Sequence, residues 1–362
     1  MLYSSPRGAH VRASDQHHAT LDGPAVNTAS ETPGTIARWL RVLKVTTAST
    51  RNRLKFGLGR IDSFSGSTTH RYTIAHAVHY QNLIFDDYVK YGALTPDRIR
   101  DRLVVELGPG DNIGALLRFI AAGARKVVAA DRFYSTHDVE HERQIYIALR
   151  ATLPSDEERR RFDEAVQLEP TLSLNPERVS YVYGKGAQDI DAVVPPASAD
   201  LLVSRGVLQE VYAIDKAFAA MDRILRPGGI MVHKIDLRDY GMFSTLGFHP
   251  REFLTIPGWA YWGMAYNTDK PNRRMLNYYR EKMASMKYDA EFFITGLVMN
   301  PYAENQPEII PHKKALVKGV DYTDKDQQMI DTIRPRLQPE FRSLTDQDLI
   351  AAATMLVGRK PA

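Results

Sequence analysis

The feature that most constrains this fold is the alternation of short apolar runs with helical segments between Leu103 and Asp236. Each apolar run has the length of a buried strand, and the segments between the runs are long enough to cross over a sheet. This rhythm predicts a doubly wound α/β fold, in which helices cover both faces of a mostly parallel sheet. The predicted strands are Leu103–Leu107, Lys126–Asp131, Val179–Gly184, Ala199–Ser204 and Ile230–Asp236, with two more over Glu291–Met299 and Thr354–Pro361.

The regular alternation is confined to the middle of the chain. The first residues are rich in Ala, Ser, Thr, His and Gly without a sustained period, which predicts a flexible leader. Helical patterns over Thr35–Phe56 and Tyr72–Tyr91 then predict a helical extension. The predicted divisions are a leader over 1–33, an extension over 34–100, and a main domain over 101–362 with insertions at about 237–290 and 300–350.

Composition and charge narrow the class of protein. The 362 residues include no cysteine, which excludes disulfides and thiolate sites. No apolar run approaches the roughly 18 residues of a spanning helix, and the N-terminus lacks the apolar core of a secretory signal, so we expect a cytoplasmic protein. Residues 1–60 carry nine Lys or Arg and three Asp or Glu, a net +6, which leaves −2 for the rest. Because the body is near neutral, a nucleic-acid-binding core is not expected.

The first predicted strand ends in the glycine-rich turn ELGPGDN, residues 106–112. Glycines at 108 and 110 let the backbone approach a ligand closely, and the following helix N-terminus offers N–H groups. Asp131 closes the second strand 21 residues after Gly110, where a carboxylate can accept hydrogen bonds from both hydroxyls of a ribose. A dinucleotide fingerprint would need glycine where this chain has Ile113, and Asp111 would oppose a pyrophosphate.

With these motifs the chain resembles the class I S-adenosylmethionine-dependent methyltransferases. The matching pieces are ELGPGDN, the acid in VVAADRF, ADLLVSRGVLQEV and LRPGGIMVHKID, in the family's order and spacing, and GRKP resembles the family's last strand. The resemblance implies a Rossmann-like sheet of seven strands whose last strand is antiparallel. It also implies S-adenosylmethionine as the cofactor, lying across the carboxyl ends of the first three strands.

The resemblance implies cofactor-binding residues after the first four strands. Asp131 would bind the ribose, and its two successors would flank the adenine. Gly186 stands where the family has an acid, so Gln188 or Asp189 would have to replace that acid. The implied cofactor-binding residues are Glu106, Gly108, Gly110, Asn112, Asp131, Arg132, Phe133, Ala187, Gln188, Ser204 and Arg205.

Transfer to a hydroxyl acceptor requires a base, and acidic residues and histidines follow the fourth and fifth strands. Glu210, His233, Asp236, Asp239 and His249 are the candidates. His233 lies inside a strand and is better explained as a core residue. Asp239 and His249 are the preferred bases, with Asp236 beside them. Two alternatives stay open for the aspartates: salt bridges within the loop, or a divalent cation held together with Glu210. We predict no resident metal.

An aromatic segment over residues 247–279 contains two of the three tryptophans and the pair Arg273–Arg274. Aromatic walls suit a sugar ring, and arginines suit a phosphate or carboxylate. Trp259, Trp262 and Arg273 are therefore predicted to bind the substrate. Ordinary helix packing with a solvated arginine pair would produce the same pattern.

The function predicted from these residues is S-adenosylmethionine-dependent O-methylation of a small molecule, such as a glycan precursor or a secondary metabolite. One alternative is a catalytically silent scaffold with the same fold. Another is an NAD(P)-dependent oxidoreductase, because Tyr278 and Lys282 form a Y-x-x-x-K pair, although the glycine pattern of that class is absent. The expected partner is the small-molecule acceptor, with no nucleic acid and no stable membrane insertion, and a homodimer is allowed.

Overall fold

The structure is a computed structural model that describes residues 33–60, 62–63, 69–135, 137–299 and 314–362. Residues 1–32 of the predicted leader lie outside the described residues, as do residues 300–313 of the second predicted insertion. None of the helices in the described ranges is long and apolar enough to cross a bilayer.

Helices and strands alternate along the described chain. The helices are α1 (Thr35–Gly57), α2 (Ile74–Gly92), α3 (Pro96–Ile99), α4 (Gly114–Ala121), α5 (Val139–Ala151), α6 (Asp156–Ala165), α7 (Ile214–Ile224), α8 (Gly258–Ala265), α9 (Leu276–Ser285), α10 (Asp324–Ile333) and α11 (Asp346–Ile350). The strands are β1 (Asp62–Ser63), β2 (Leu103–Leu107), β3 (Lys126–Asp131), β4 (Tyr134–Ser135), β5 (Val166–Gln167), β6 (Ser173–Leu174), β7 (Val179–Tyr183), β8 (Ala199–Arg205), β9 (Leu225–Asp236), β10 (Asp289–Leu297) and β11 (Ala351–Arg359). Short 3₁₀ segments occupy Thr69–Arg71, Ala187–Ala192, Ser244–Leu246, Glu252–Thr255, Arg334–Arg336 and Pro339–Phe341.

Seven of these strands form one sheet in the order β10-β11-β9-β8-β2-β3-β7. The pairs β9–β8, β8–β2, β2–β3 and β3–β7 are parallel, whereas β11 runs antiparallel to both of its neighbours. The predicted seven-stranded, mostly parallel sheet with an antiparallel last strand is therefore confirmed.

Helices bury both faces of this sheet, because successive side chains of a strand point to opposite sides. Val105 and Leu107 of β2 belong to the core beneath α7, α8 and α9, while Val104 of the same strand belongs to the core beneath α2, α4 and α5. A strand buried on both faces reads as a continuous apolar run, which is why these strands are visible in the sequence.

The helices of the N-terminal extension pack on two different parts of the domain. Helix α2 is capped by Thr73, whose side chain accepts a hydrogen bond from the backbone N–H of His76, and the helix packs against α4 and α5. Helix α1 packs against α8, and the Ser49 hydroxyl donates to the Met264 carbonyl at 2.5 Å. The extension is therefore joined to the domain by buried contacts.

Two strands begin earlier than predicted: β9 begins at Leu225 instead of Ile230, and β11 begins at Ala351 instead of Thr354. Helix α7 begins at Ile214, and in the segment before it the carbonyls of Leu208 and Val211 accept hydrogen bonds from the Asn272 amide, both at 2.9 Å. These long-range bonds hold that segment in an open turn.

Candidate active site

A cavity of about 310 Å³ opens at the carboxyl ends of β2, β3 and β8. Its size lies at the lower end of the range for small-molecule sites. Crevices at this edge of a doubly wound sheet are the usual place for a ligand. Its lining comes from Thr69, from Tyr80, Gln81 and Ile84 of α2, and from residues 106–111, 130–133, 186–188, 205–207, 210–213 and 266–268.

The turn after β2 brings backbone rather than side chains to the cavity. Gly108 and Gly110 have φ of +64° and +72°, the left-handed region that favours glycine. The Gly108 N–H donates to the Ala130 carbonyl at 2.8 Å, which fixes the turn to β3. A Cβ at Gly108 would lie 2.4 Å from a methyl carbon of Val207, so a side chain at this position would collide with the turn after β8.

Asp131 is the last residue of β3 and connects the turn after β2 to the turn after β3, both of which line the cavity. One carboxylate oxygen accepts the Gly110 N–H at 3.3 Å, and the other accepts the Phe133 N–H at 2.9 Å. Burial raises the pKa of Asp131, and these backbone hydrogen bonds act in the opposite direction. Each carboxylate oxygen has capacity for more than one hydrogen bond, so the group can also accept bonds from a neighbouring pair of hydroxyls.

An aromatic wall stands beside Asp131. The rings of Phe133 and Phe56 lie 4.7 Å apart, and the Arg132 guanidinium lies 5.0 Å and 5.6 Å from their centroids. Phe56 belongs to α1, so the N-terminal extension packs against Phe133 in this aromatic wall. A flat apolar surface with a cation beside it suits a planar heteroaromatic ring.

The loop after β7 contributes Gly186, Ala187 and Gln188 to the cavity. The Gln188 side chain folds over Gly186, where a Cβ would lie 2.5 Å from the Gln188 amide oxygen. Asp189 instead pairs with Lys216 at 2.9 Å and is not among the lining residues. Of the two predicted replacements for the missing acid, the structure thus brings Gln188 to the cavity.

Two predicted cofactor-binding residues have side chains that serve the fold instead. The Asn112 side-chain oxygen accepts the Gly114 N–H at 2.8 Å at the start of α4. Ser204 is fully buried, with its hydroxyl 2.7 Å from Nδ1 of His233. Neither residue lines the cavity, because Asn112 points into the helix start and Ser204 into the core.

Two glutamates line the cavity, of which Glu106 is buried and Glu210 is half-buried. Burial raises the pKa of Glu106 to about 7, although the Tyr88 hydroxyl donates to its carboxylate at 3.2 Å. Burial raises the pKa of Glu210 to about 8, with the nearby charge of Asp269 adding to the shift and the Tyr240 hydroxyl opposing it. A carboxylate with a pKa in this range can exchange protons near neutral pH.

The structure does not bring the preferred bases to the cavity. Asp239 accepts hydrogen bonds from the N–H groups of Gly241, Phe243 and Ser244 at 2.8–3.0 Å, so it orders its own loop. His249 bonds the Met329 carbonyl at 3.0 Å and accepts the Arg251 N–H at 2.9 Å.

Asp236 and its neighbours also have structural partners. The Asp236 carboxylate binds the Arg238 guanidinium with N···O distances of 2.5–3.0 Å, as the salt-bridge alternative predicted. His233 lies in the core, and burial lowers its pKa to about 3. Within the described residues, no cluster of histidines and acids is arranged to hold a metal ion.

The predicted substrate residues also lie outside the cavity lining. Arg273 donates to the Ile256 carbonyl at 2.6 Å, and its guanidinium lies 4.1 Å from the Tyr261 ring centroid. Trp259 is 74% exposed, and Trp262 stacks on Tyr266 at 4.8 Å. Only Tyr266 of this aromatic group lines the cavity, because α8 turns its tryptophans outward.

The sheet order identifies the fold. Five parallel strands, with an antiparallel last strand inserted beside the sixth, match the topology that the motifs implied. Residues 157–233 match the family model described as a methyltransferase domain. The fold is that of a class I methyltransferase.

Solved structures of methyltransferases resemble this chain at low identity. Two are phosphoethanolamine N-methyltransferase 2 of Haemonchus contortus, one with phosphomonomethylethanolamine and S-adenosylhomocysteine and one with S-adenosylmethionine. Their identities are 15% and 16%, their TM-scores 0.40 and 0.39, and the matches cover 78% and 81% of this chain. They cover 53% and 58% of those proteins, so this chain spans little more than half their length.

A third structure is an S-adenosylmethionine-dependent methyltransferase from Mesorhizobium loti. It has 13% identity and a TM-score of 0.37, and the match covers 76% of this chain and all of that one. None of the curated proteins compared with the chain matches it.

Several residues that complete the cavity of this methyltransferase fold were not predicted individually. Tyr80 of α2 lies under Arg205, whose guanidinium is 5.7 Å from the ring and pairs with Asp87 at 2.8 Å. Tyr212 meets Tyr266 edge to face at 5.1 Å. The helical sequence pattern predicted α2, but only the long-range packing of this helix brings its side chains to the cavity.

The pair that suggested an oxidoreductase lies elsewhere. The Tyr278 hydroxyl donates to the Asp215 carboxylate at 2.9 Å, and Lys282 pairs with the same carboxylate. Neither residue lines the cavity. A shared ion-pair partner explains both side chains without chemistry on a nicotinamide.

Proposed function

We propose that this chain is an enzyme that uses S-adenosylmethionine to methylate an oxygen atom of a small molecule. The observation that carries the proposal is the half-buried carboxylate of Glu210 in the same cavity as the glycine turn and Asp131. The first two features fit the cofactor, and Glu210 supplies a proton acceptor for a hydroxyl. A glycan precursor or another small hydroxylated metabolite is the proposed acceptor.

The described residues fit the cofactor group by group. Asp131 offers acceptors to the ribose hydroxyls, and Phe133 offers a face for the adenine. The positive-φ glycines keep side chains away from the amino-acid part, and the Ala187 N–H offers a donor to the adenine edge. Glu106 supplies a carboxylate near the same turn. When bound, S-adenosylmethionine would supply an electrophilic methyl group carried on a sulfonium.

The acceptor side is proposed to lie between α2, the segment 205–213 and Tyr266. Tyr80, Tyr212 and Tyr266 provide rings suited to a sugar or another flat acceptor. In this arrangement Glu210 takes the hydroxyl proton of the acceptor. The first insertion contributes residues 266–268 to the lining, while no residue of 314–350, the described part of the second insertion, lines it.

The pH dependence follows from the raised pKa of Glu210. Because Glu210 must be ionised to accept a proton, kcat/KM should rise with pH through about 8 and level off above it. Glu210→Gln should lower turnover by roughly 10²–10⁴ and remove this rising limb. Glu177→Gln, an exposed glutamate before β7, is the matched control and should leave turnover unchanged.

The test has a binding step and a turnover step. Calorimetry with S-adenosylhomocysteine should show binding, and calorimetry with NADPH should show none. Release of S-adenosylhomocysteine is then measured across a panel of hydroxylated sugars and aromatic alcohols. Binding of NADPH alone would replace the proposal by the oxidoreductase alternative. Binding of neither ligand would favour a silent scaffold.

A further inference from the structure

The outer face of α1 carries an exposed apolar stripe. Val42, Val45 and Ser49 face the domain and are buried. On the opposite side, side chains spaced three or four residues apart form one continuous line along the helix. The large apolar members of this line are Ile36, Leu40, Leu43, Leu54 and Leu58, which are 62–80% exposed, and the exposed Thr47 and Thr50 lie between Leu43 and Leu54. Such a stripe is unusual on a water-facing helix and marks an interaction surface.

All three tryptophans of the chain lie beside this stripe. Trp39 of α1 stacks on Trp259 of α8 with centroids 6.1 Å apart. Trp259 and Trp262 are 74% and 49% exposed. We call the stripe together with Trp259 and Trp262 the amphipathic face. Tryptophan is the residue that prefers a boundary between an apolar phase and water.

The charge beside the amphipathic face has one sign. Residues 34–60 contain seven lysines and arginines and no acid. Arg38, Arg41 and Arg53 turn toward the domain, where they bond Glu252, the Met242 carbonyl and the Tyr266 carbonyl. Lys44 and Lys55 are exposed and each follows a leucine of the stripe by one residue, and the exposed Arg51 follows Thr50. Exposed cations therefore lie beside the line between Lys44 and Lys55.

We propose that the amphipathic face binds the surface of an anionic lipid membrane without spanning it. When an apolar stripe is flanked by basic side chains, its leucines and tryptophans can insert at the boundary between headgroups and acyl chains while the cations are attracted to acidic lipids. A second copy of the chain is a poorer occupant, because pairing two such helices would juxtapose like charges. Nucleic acid would match the cations but would leave the leucines exposed.

The amphipathic face adjoins the cavity at two places. At the end of α1, Phe56 packs on Phe133, and in α8 Trp262 stacks on Tyr266, and both Phe133 and Tyr266 line the cavity. A membrane-bound chain would therefore hold its cavity near the lipid surface. The proposal concerns binding alone and does not rest on the proposed methyl transfer.

The experiment uses the full chain with vesicles of phosphatidylcholine alone or mixed with phosphatidylglycerol. Because every tryptophan lies beside the proposed contact, intrinsic fluorescence should shift to shorter wavelength on binding the mixed vesicles, and flotation should confirm association. Pure phosphatidylcholine should give little of either signal. Raising the salt to about 1 M shortens the screening length to about 3 Å and should weaken the binding.

Variants separate the two components of the face. Lys44→Gln/Arg51→Gln/Lys55→Gln should weaken partitioning by about 10²-fold, since each basic side chain near an anionic surface contributes about fivefold. Leu40→Ser/Leu43→Ser should reduce the fluorescence shift. Arg98→Gln/Arg100→Gln/Arg125→Gln removes the same charge from exposed positions at the opposite end of the strands and should bind like the parent.

Three results would overturn the proposal. One is a folded parent that does not float with anionic vesicles. Another is equal loss of binding in the two triple-glutamine variants, which would indicate net charge rather than this face. The third is a stable dimer in sedimentation that Leu40→Ser/Leu43→Ser converts to monomer, which would assign the face to a second copy.

Discussion

Replacement of Asp131 by alanine tests the cofactor assignment most directly. The Asp131 carboxylate accepts the N–H groups of Gly110 and Phe133 and is presented to the cavity by both turns. Asp131→Ala removes every acceptor at this point without adding bulk. The variant therefore changes what the cavity can bind more than its shape.

The expected loss can be worked out from the contacts. A hydrogen bond to a charged group contributes about 1.5–3 kcal/mol, and each 1.4 kcal/mol is a factor of ten in affinity. Losing the ribose contact should therefore weaken S-adenosylhomocysteine binding by about 10–150-fold. Asp131→Asn retains one oxygen for Phe133 but turns an N–H group toward the Gly110 N–H or the ribose, so its affinity should fall between those of the parent and the alanine variant.

The assay is titration calorimetry with S-adenosylhomocysteine, accompanied by thermal melting of each ligand-free variant. Asp191→Ala is the matched control, because its carboxylate pairs with Arg223 and does not line the cavity. That control should bind like the parent. If Asp131→Ala melts normally and binds within twofold of the parent, Asp131 does not hold the ribose.

Three further predictions concern the scaffold. Gly108→Ala should destabilise the fold by about 2–4 kcal/mol and impair S-adenosylhomocysteine binding, because φ is +64° and the new Cβ would lie 2.4 Å from Val207. Urea unfolding and calorimetry measure the two effects, and Gly57→Ala is the control because a Cβ at that position meets no atom within 4 Å. Arg251→Met should cost about 3–5 kcal/mol in urea unfolding, because the buried guanidinium donates to the carbonyls of Leu237, Leu349 and Ala351, which would lose their partners; wild-type stability would refute that role. Burial lowers the pKa of His233 to about 3, so below pH 6.5 the unfolded chain binds a proton that the folded chain does not bind, and the free energy of unfolding should fall by up to about 1.4 kcal/mol per pH unit. His233→Asn should make the free energy of unfolding less dependent on pH between pH 5 and 7, and an unchanged pH dependence would contradict this role of His233.

The parts of the fold that the sequence predicted well are those encoded locally. Strands β2 and β3 are buried on both faces, so their apolar runs match the observed bounds, Leu103–Leu107 and Lys126–Asp131. The glycine turn is also local, since a positive φ at 108 and 110 follows from the need to turn between a strand and a helix. Asp131 lines the cavity as the last residue of β3, so its position depends on a strand that the sequence encodes locally.

The acceptor side could not be predicted in the same way. Asp239 follows β9 at a spacing that suits a base, but its four hydrogen-bond donors come from the next five residues and tie it to its own loop. Glu210, one candidate among five in the sequence, lines the cavity from a turn in which the Leu208 and Val211 carbonyls accept hydrogen bonds from the Asn272 amide. That contact joins residues more than sixty positions apart, and no local pattern encodes it.

Asp111 of the glycine turn has a structural role that the sequence did not indicate. From the sequence alone, the negative charge of its carboxylate is expected to oppose a pyrophosphate beside the glycine turn. In the structure that carboxylate is buried and accepts the N–H groups of Thr69 and His70 at 3.2 Å and 3.1 Å. The acid therefore anchors the segment that leads into α2, whose side chains line the cavity. The residue whose charge counts against a dinucleotide in the sequence therefore also joins the glycine turn to the N-terminal extension.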